Sequence, residues 1–94
     1  MVVEYAAFNP MGDHSGTATS GTVTLAKPAG AKELLIQCTS GTARFTFGTV
    51  TPGTATGFQL LAGQPPLVVP VAFGTAVKVC PESGTATIAY QWGG

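Results

Sequence analysis

The chain has 94 residues with four basic and four acidic side chains and no formal net charge; 9% of it is charged and 45% is hydrophobic. That length fits one domain, which buries roughly 60 to 70% of its unfolded surface and so has a modest core. Charge this sparse and balanced excludes a nucleic-acid-binding surface, which needs clustered Lys and Arg, and the hydrophobic content excludes a disordered chain.

The first eight residues, MVVEYAAF, read as an arm or an additional strand. Its apolar side chains Val2, Val3, Tyr5 and Phe8 are candidates for contact with a neighbouring subunit or partner, made by strand addition through the main chain. No basic segment precedes the apolar residues and Glu4 interrupts them, so no signal peptide is expected, and no stretch has the length of a membrane span. The polar NPMGDHSG follows, so residues 1–20 read as arm and linker and residues 21–94 as the folded domain. Asp13 and His14, the only histidine, are adjacent in this linker. A hydrolytic triad would also need a positioned nucleophile. No G-x-S-x-G is present, and neighbours on an extended segment point apart, so both read as surface residues.

From there on nothing sustains a helical period, and Thr, Val, Gly and Pro dominate. Strands are predicted over 21–26 (GTVTLA), 33–39 (ELLIQCT), 42–47 (TARFTF), 56–61 (TGFQLL), 67–72 (LVVPVA), 75–80 (TAVKVC) and 85–92 (TATIAYQW). In TARFTF, Ala43, Phe45 and Phe47 share one face and Arg44 and Thr46 the other. In TATIAYQW the inward set is Ala86, Ile88, Tyr90 and Trp92. Pro70 lacks the amide hydrogen a ladder needs, which assigns its strand to a sheet edge or a bulge. The fold class is all-β: a compact antiparallel β-sandwich, jelly-roll-like or a small barrel, of seven to eight short strands.

Ser-Gly-Thr occurs four times, and seven of the thirteen glycines precede threonine. A phosphate cradle would need a lysine and a helix after the glycines, and neither follows. Turn chemistry accounts for the pattern: glycine supplies positive φ where the chain reverses and β-branched threonine restarts the strand. The five T-x-T pairs are unevenly spaced, so they form no regular ladder. A weak internal repeat aligns 16–24 with 48–56 and 29–43 with 62–76, each copy reading as a three-strand unit, with chance alignment of a Gly-, Thr- and Ala-rich chain as the alternative.

Catalytic chemistry is sparse. Glu4, Asp13, Glu33 and Glu82 are scattered, and Cys38 and Cys80 belong to no metal-ligand motif, so no cofactor, metal or enzyme activity is expected. Two buried thiols are favoured over a disulfide. Arg44, alone on the polar face of its strand, is a candidate to pair with Glu33 or Glu82 or to anchor a partner subunit. Trp92 and Tyr90 read as core or intersubunit contacts rather than a sugar platform. Phe58 and Phe73 remain as aromatics that a sugar-binding module would use.

The stretch from residue 22 to residue 92 resembles the small structural proteins of tailed bacteriophages, of the capsid decoration or cement type. The resemblance is carried by the PAGAK-LLIQ opening, the RFTF…TPGTATGF-L-AG-PP centre and the ATIAYQW end. It implies a β-sandwich that binds the outer surface of a phage head, commonly as a homotrimer, with the major capsid protein as its partner. It implies reinforcement of the virion against internal DNA pressure, with no catalytic residue and neither nucleic acid nor membrane as a partner. The alternative is a carbohydrate-binding or adhesion module of a phage fibre or tail.

Overall fold

A computed structural model describes residues 8–13, 15–72 and 75–94. The candidate contacts Val2, Val3 and Tyr5 lie outside these residues, as do His14 and Phe73. Eight strands run in chain order: β1 (Ser15–Thr19), β2 (Val23–Leu25), β3 (Glu33–Ser40), β4 (Thr42–Phe47), β5 (Phe58–Leu61), β6 (Leu67–Pro70), β7 (Val77–Pro81) and β8 (Ala86–Gly93). They form two antiparallel four-stranded sheets, β1-β8-β3-β6 and β2-β7-β4-β5. The first is called sheet A below and the second sheet B. Every connection except β4 to β5 crosses from one sheet to the other. That winding is the strand order of a jelly roll. The chain is an all-β sandwich, and no helix among the described residues is long and apolar enough to cross a membrane.

Period-two alternation builds the core. On β3, Leu34, Ile36 and Cys38 are buried while Glu33, Leu35 and Gln37 are not. On β8, Ala86, Ile88 and Trp92 are buried and Tyr90 packs against them. On β4, Ala43 and Phe45 are buried and Phe47 lies at the margin of the same cluster. Val77 and Val79 from β7 and Leu25 from β2 complete the filling between the sheets. Leu34, Ile36, Ile88, Val77 and Val79 are sealed from solvent, and truncating any of the larger ones to alanine costs about 2 to 5 kcal/mol in such a setting. That is a large share of a small domain's stability.

Both prolines that fall inside strands sit where no ladder bond is lost. Pro70 ends β6, an edge strand of sheet A, as its missing amide hydrogen required. Pro81 ends β7, which is flanked by β2 and β4; β2 pairs only as far as Val79, so Pro81 projects past its end.

The structure departs from the sequence reading at three places. Residues 15–19, assigned to an arm, form β1 and pair with β8 from Ser15↔Tyr90 to Thr19↔Ala86. SGTAT carries no large hydrophobic side chain, so it shows no alternation; it is a strand because β8 offers it an edge. The internal repeat maps only in part onto matching elements: 29–43 and 62–76 align β3 with β6, whereas 16–24 holds most of β1 and β2 and 48–56 is a loop with one isolated bridge, Gly53↔Thr56. Among the glycines before threonine, Gly41, Gly48 and Gly84 have positive φ, whereas Gly16 lies within β1 and Gly21 and Gly53 do not. Gly74 is outside the described residues.

Candidate interaction surface

The loop between β4 and β5 is folded back onto β4 by three local devices. The Thr46 hydroxyl donates to the Val50 carbonyl, which buries a threonine on the outward side of its strand. Arg44 donates from Nη1 to the Gly57 carbonyl at 3.0 Å. Gly57 itself has φ +111°, and a Cβ there would lie 2.8 Å from the Phe45 carbonyl oxygen, so only glycine lets the loop return this close. The chain then enters β5 at Phe58, directly opposite Phe45.

Phe58 is thereby held at the mouth of the sandwich with its ring in the open. It is 64% exposed, although its ring lies 5.5 Å from that of buried Phe45 and 6.2 Å from that of Phe47. Phe47, Val50, Thr56 and Phe58 line a shallow depression of about 430 Å³. The other large hydrophobics that stand exposed among the described residues are Val50, Leu61 and Leu67. All four belong to the β4–β5 loop, β5 or β6. Both strands are sheet edges, and the chain runs from one to the other through the exposed residues 62–65. From Phe45 to Val77 the sequence contains no Asp, Glu, Lys or Arg. This flank is apolar, its own residues carry no charge, and among the described residues no strand pairs its two edges.

Charge lies elsewhere. Arg44, at the centre of sheet B and pointing outward, donates from Nε and Nη2 to Glu82 Oε1 at 2.9 and 2.6 Å, and Gln59 Nε2 donates to the same oxygen at 2.9 Å. Of the two acids the sequence allowed, Glu82 is the partner, because β7 leads directly to it beside β4 while Glu33 starts β3 in the other sheet. Glu33 instead accepts the Asn9 amide at 3.1 Å. Cys80, opposite Arg44 on the same outward side, is buried, and desolvation pushes its thiol pKa up, with the Arg44 charge pulling the other way. Cys38 is in the core between the sheets, so the two free thiols lie on opposite faces of sheet B.

Of the remaining candidates, Phe8 sits against the end of β8, where a Cβ on Gly93 would lie 2.7 Å from its ring. Trp92 is 7% exposed in the core, and its Nε1 has no hydrogen-bond partner among the described residues. Thus Phe8, Arg44 and Trp92 are not assembled into one site. The outward face of sheet A is a further surface poor in charge: Gly16, Ala89 and Gln37 align across three strands, Gln91, Leu35 and Val68 across the next row, and Glu33 follows between Gly93 and Pro70. Among the described residues no group of three His, Cys, Asp or Glu side chains is placed to hold a metal ion. The sequence reading named Phe58 but missed Val50, Leu61 and Leu67, for which alternation gives no signal about what covers a strand edge.

No known family model matches this chain, and neither a curated protein nor a solved structure is similar enough to count as a match.

Proposed function

We propose that this chain is a non-enzymatic structural protein of a virion, a decoration protein that lies on the outer surface of a phage head as an oligomer. The observation that carries the reading is the outward face of sheet A, four strands wide, whose rows from Gly16 across to Val68 carry no charge and whose one charged strand residue, Glu33, stands at the start of β3. A broad flat surface of small and amide side chains suits contact with another large flat surface, where many weak sites act together and avidity exceeds single-site affinity by roughly 10² to 10⁴. Jelly rolls serve in viral shells, and also in lectins, so the fold is compatible with the reading without selecting it. Dispersed acids and an Arg44 already paired to Glu82 favour a structural over a catalytic role. The test is quantitative mass spectrometry of purified particles: a copy number near that of the major shell protein is expected, and absence from the particle would overturn the reading.

A second reading, a carbohydrate-binding or adhesion module of a phage fibre or tail, is favoured by one observation. Phe58 presents an exposed ring beside a depression, which is what stacking on a sugar requires. Binding on a glycan array that is lost in Phe58→Ala would establish it, and a blank array would dismiss it.

A further inference from the structure

We infer that the flank formed by the β4–β5 loop, β5 and β6 is the surface through which copies of this chain associate, and that a second copy is its occupant. This goes beyond the virion reading and does not depend on a shell being the partner.

Three properties of the flank point to its own kind. Its apolar side chains are gathered rather than scattered: Val50, Phe58, Leu61 and Leu67 stand between 39 and 64% exposed, and among the described residues no large hydrophobic stands exposed on the β1 and β2 flank opposite.

Charge decides the occupant. The flank's own residues, from Phe45 to Val77, carry no charged side chain for a partner to grip; charge enters only at its borders, with Arg44 paired to Glu82, Lys78 opposite Thr46 and Glu33 opposite Pro70. Two copies brought together there set no like charges against each other and leave no ion buried unpaired, which is the usual cost of self-association. The chain as a whole carries no formal net charge, so no long-range repulsion opposes the encounter.

The edge of β5 supplies direction. Phe58 to Leu61 pair with β4 on one side and, among the described residues, with no strand on the other. An open edge of this kind is a template for another strand. The charged side chain, inward-pointing Lys or added proline that blunts such edges is missing from FQLL. A neighbour laid along it continues sheet B across the subunit boundary and covers Phe58, an aromatic of the kind that dominates interface energetics.

The experiment is multi-angle light scattering of the purified chain over a concentration series, for wild type, Phe58→Ser and a control, Ala18→Ser, on the β1 edge. Wild type is expected as an oligomer. Phe58→Ser should weaken association at least tenfold and shift the mass towards the 9.4 kDa monomer, with its circular dichroism unchanged, while Ala18→Ser associates as wild type does. A wild-type monomer at every concentration, or an oligomer unaffected by Phe58→Ser, overturns the inference. Should Phe58→Ser misfold, hydrogen exchange on wild type decides. Protection of residues 58–61 that rises with concentration supports the inference, and protection that rises only at residues 15–19 refutes it. Neither measurement uses particles, so its failure removes the oligomer in solution but leaves placement on the shell to be judged by copy number, and absence from particles leaves this inference standing.

Discussion

Arg44 and Glu82 are joined by two nitrogens on a single carboxylate oxygen, at 2.9 and 2.6 Å, with side chains 20 and 30% exposed. Pairs this accessible are screened by water and salt, and their net contribution is small. Arg44 does more than pair, because its third nitrogen holds the Gly57 carbonyl and with it the loop that presents Phe58. Arg44→Met should lower stability by about 1 kcal/mol, or roughly 5 °C in melting temperature for a domain of this size. Glu82→Gln keeps an acceptor and should cost less. Thermal melts at low and high salt check both, with the difference between wild type and Glu82→Gln shrinking as salt rises.

Gly41 is the single residue between β3 and β4 and carries the chain from one sheet to the other. It has φ +75°, and a Cβ there would lie 2.7 Å from the Thr85 carbonyl oxygen. Gly48 has the same φ with nothing within 4 Å of a Cβ. Gly48→Ala should therefore cost about 1 kcal/mol, the left-handed penalty alone. Gly41→Ala adds a backbone collision and should cost about 3 kcal/mol. Urea denaturation of the two variants separates the terms, and equal midpoints would contradict the geometry.

The Cys80 thiol pKa stands above its ordinary value near 9.0 because burial disfavours the thiolate. A folded-state pKa raised above the unfolded one means that the unfolded chain releases its proton first. The stabilising contribution is thus present below about pH 9 and is lost as pH rises through the interval above it. The urea midpoint of wild type should fall more between pH 8 and pH 10 than that of Cys80→Ala. Since Cys38 and Cys80 lie on opposite faces of sheet B, non-reducing electrophoresis should show no internal disulfide, and both thiols should react rapidly with alkylating agent only after unfolding.

Residues 9–11 are tied to the end of β8. Met11 donates its amide to the Trp92 carbonyl at 2.8 Å, Gln91 Nε2 donates to the Met11 carbonyl at 2.8 Å, and Gly94 donates to the Asn9 carbonyl at 2.9 Å. The Met11 side chain also packs against the core. Removing residues 1–12 should therefore melt on the order of 10 °C below removal of residues 1–7, since several hydrogen bonds and a core contact go with it. The shorter truncation is the one to use for asking whether Val2, Val3 and Tyr5 contribute to retention on shells; loss of retention is expected.

Much of the fold was legible from alternation alone. The inward sets on β4 and β8, and the edge position of the strand ending at Pro70, follow from side-chain parity and one missing amide hydrogen, and both are local properties. The candidate site was less legible. Phe58 was named for its aromatic ring, but Leu61 and Leu67 belong to segments that read as ordinary strands, and parity does not say whether a neighbouring strand covers an edge.

By itself the sequence determined that this chain is a β-sandwich, because the period of apolar residues is set residue by residue and survives any arrangement of the strands. Only the tertiary structure decided which strands pair. It made Ser15–Thr19 a strand because β8 had an edge to offer, matched Arg44 with Glu82 because β4 and β7 are neighbours, and put Phe58, Leu61 and Leu67 on one flank because β5 and β6 end their sheets on the same side. Those outcomes depend on contacts between residues distant in the chain, which no local pattern encodes.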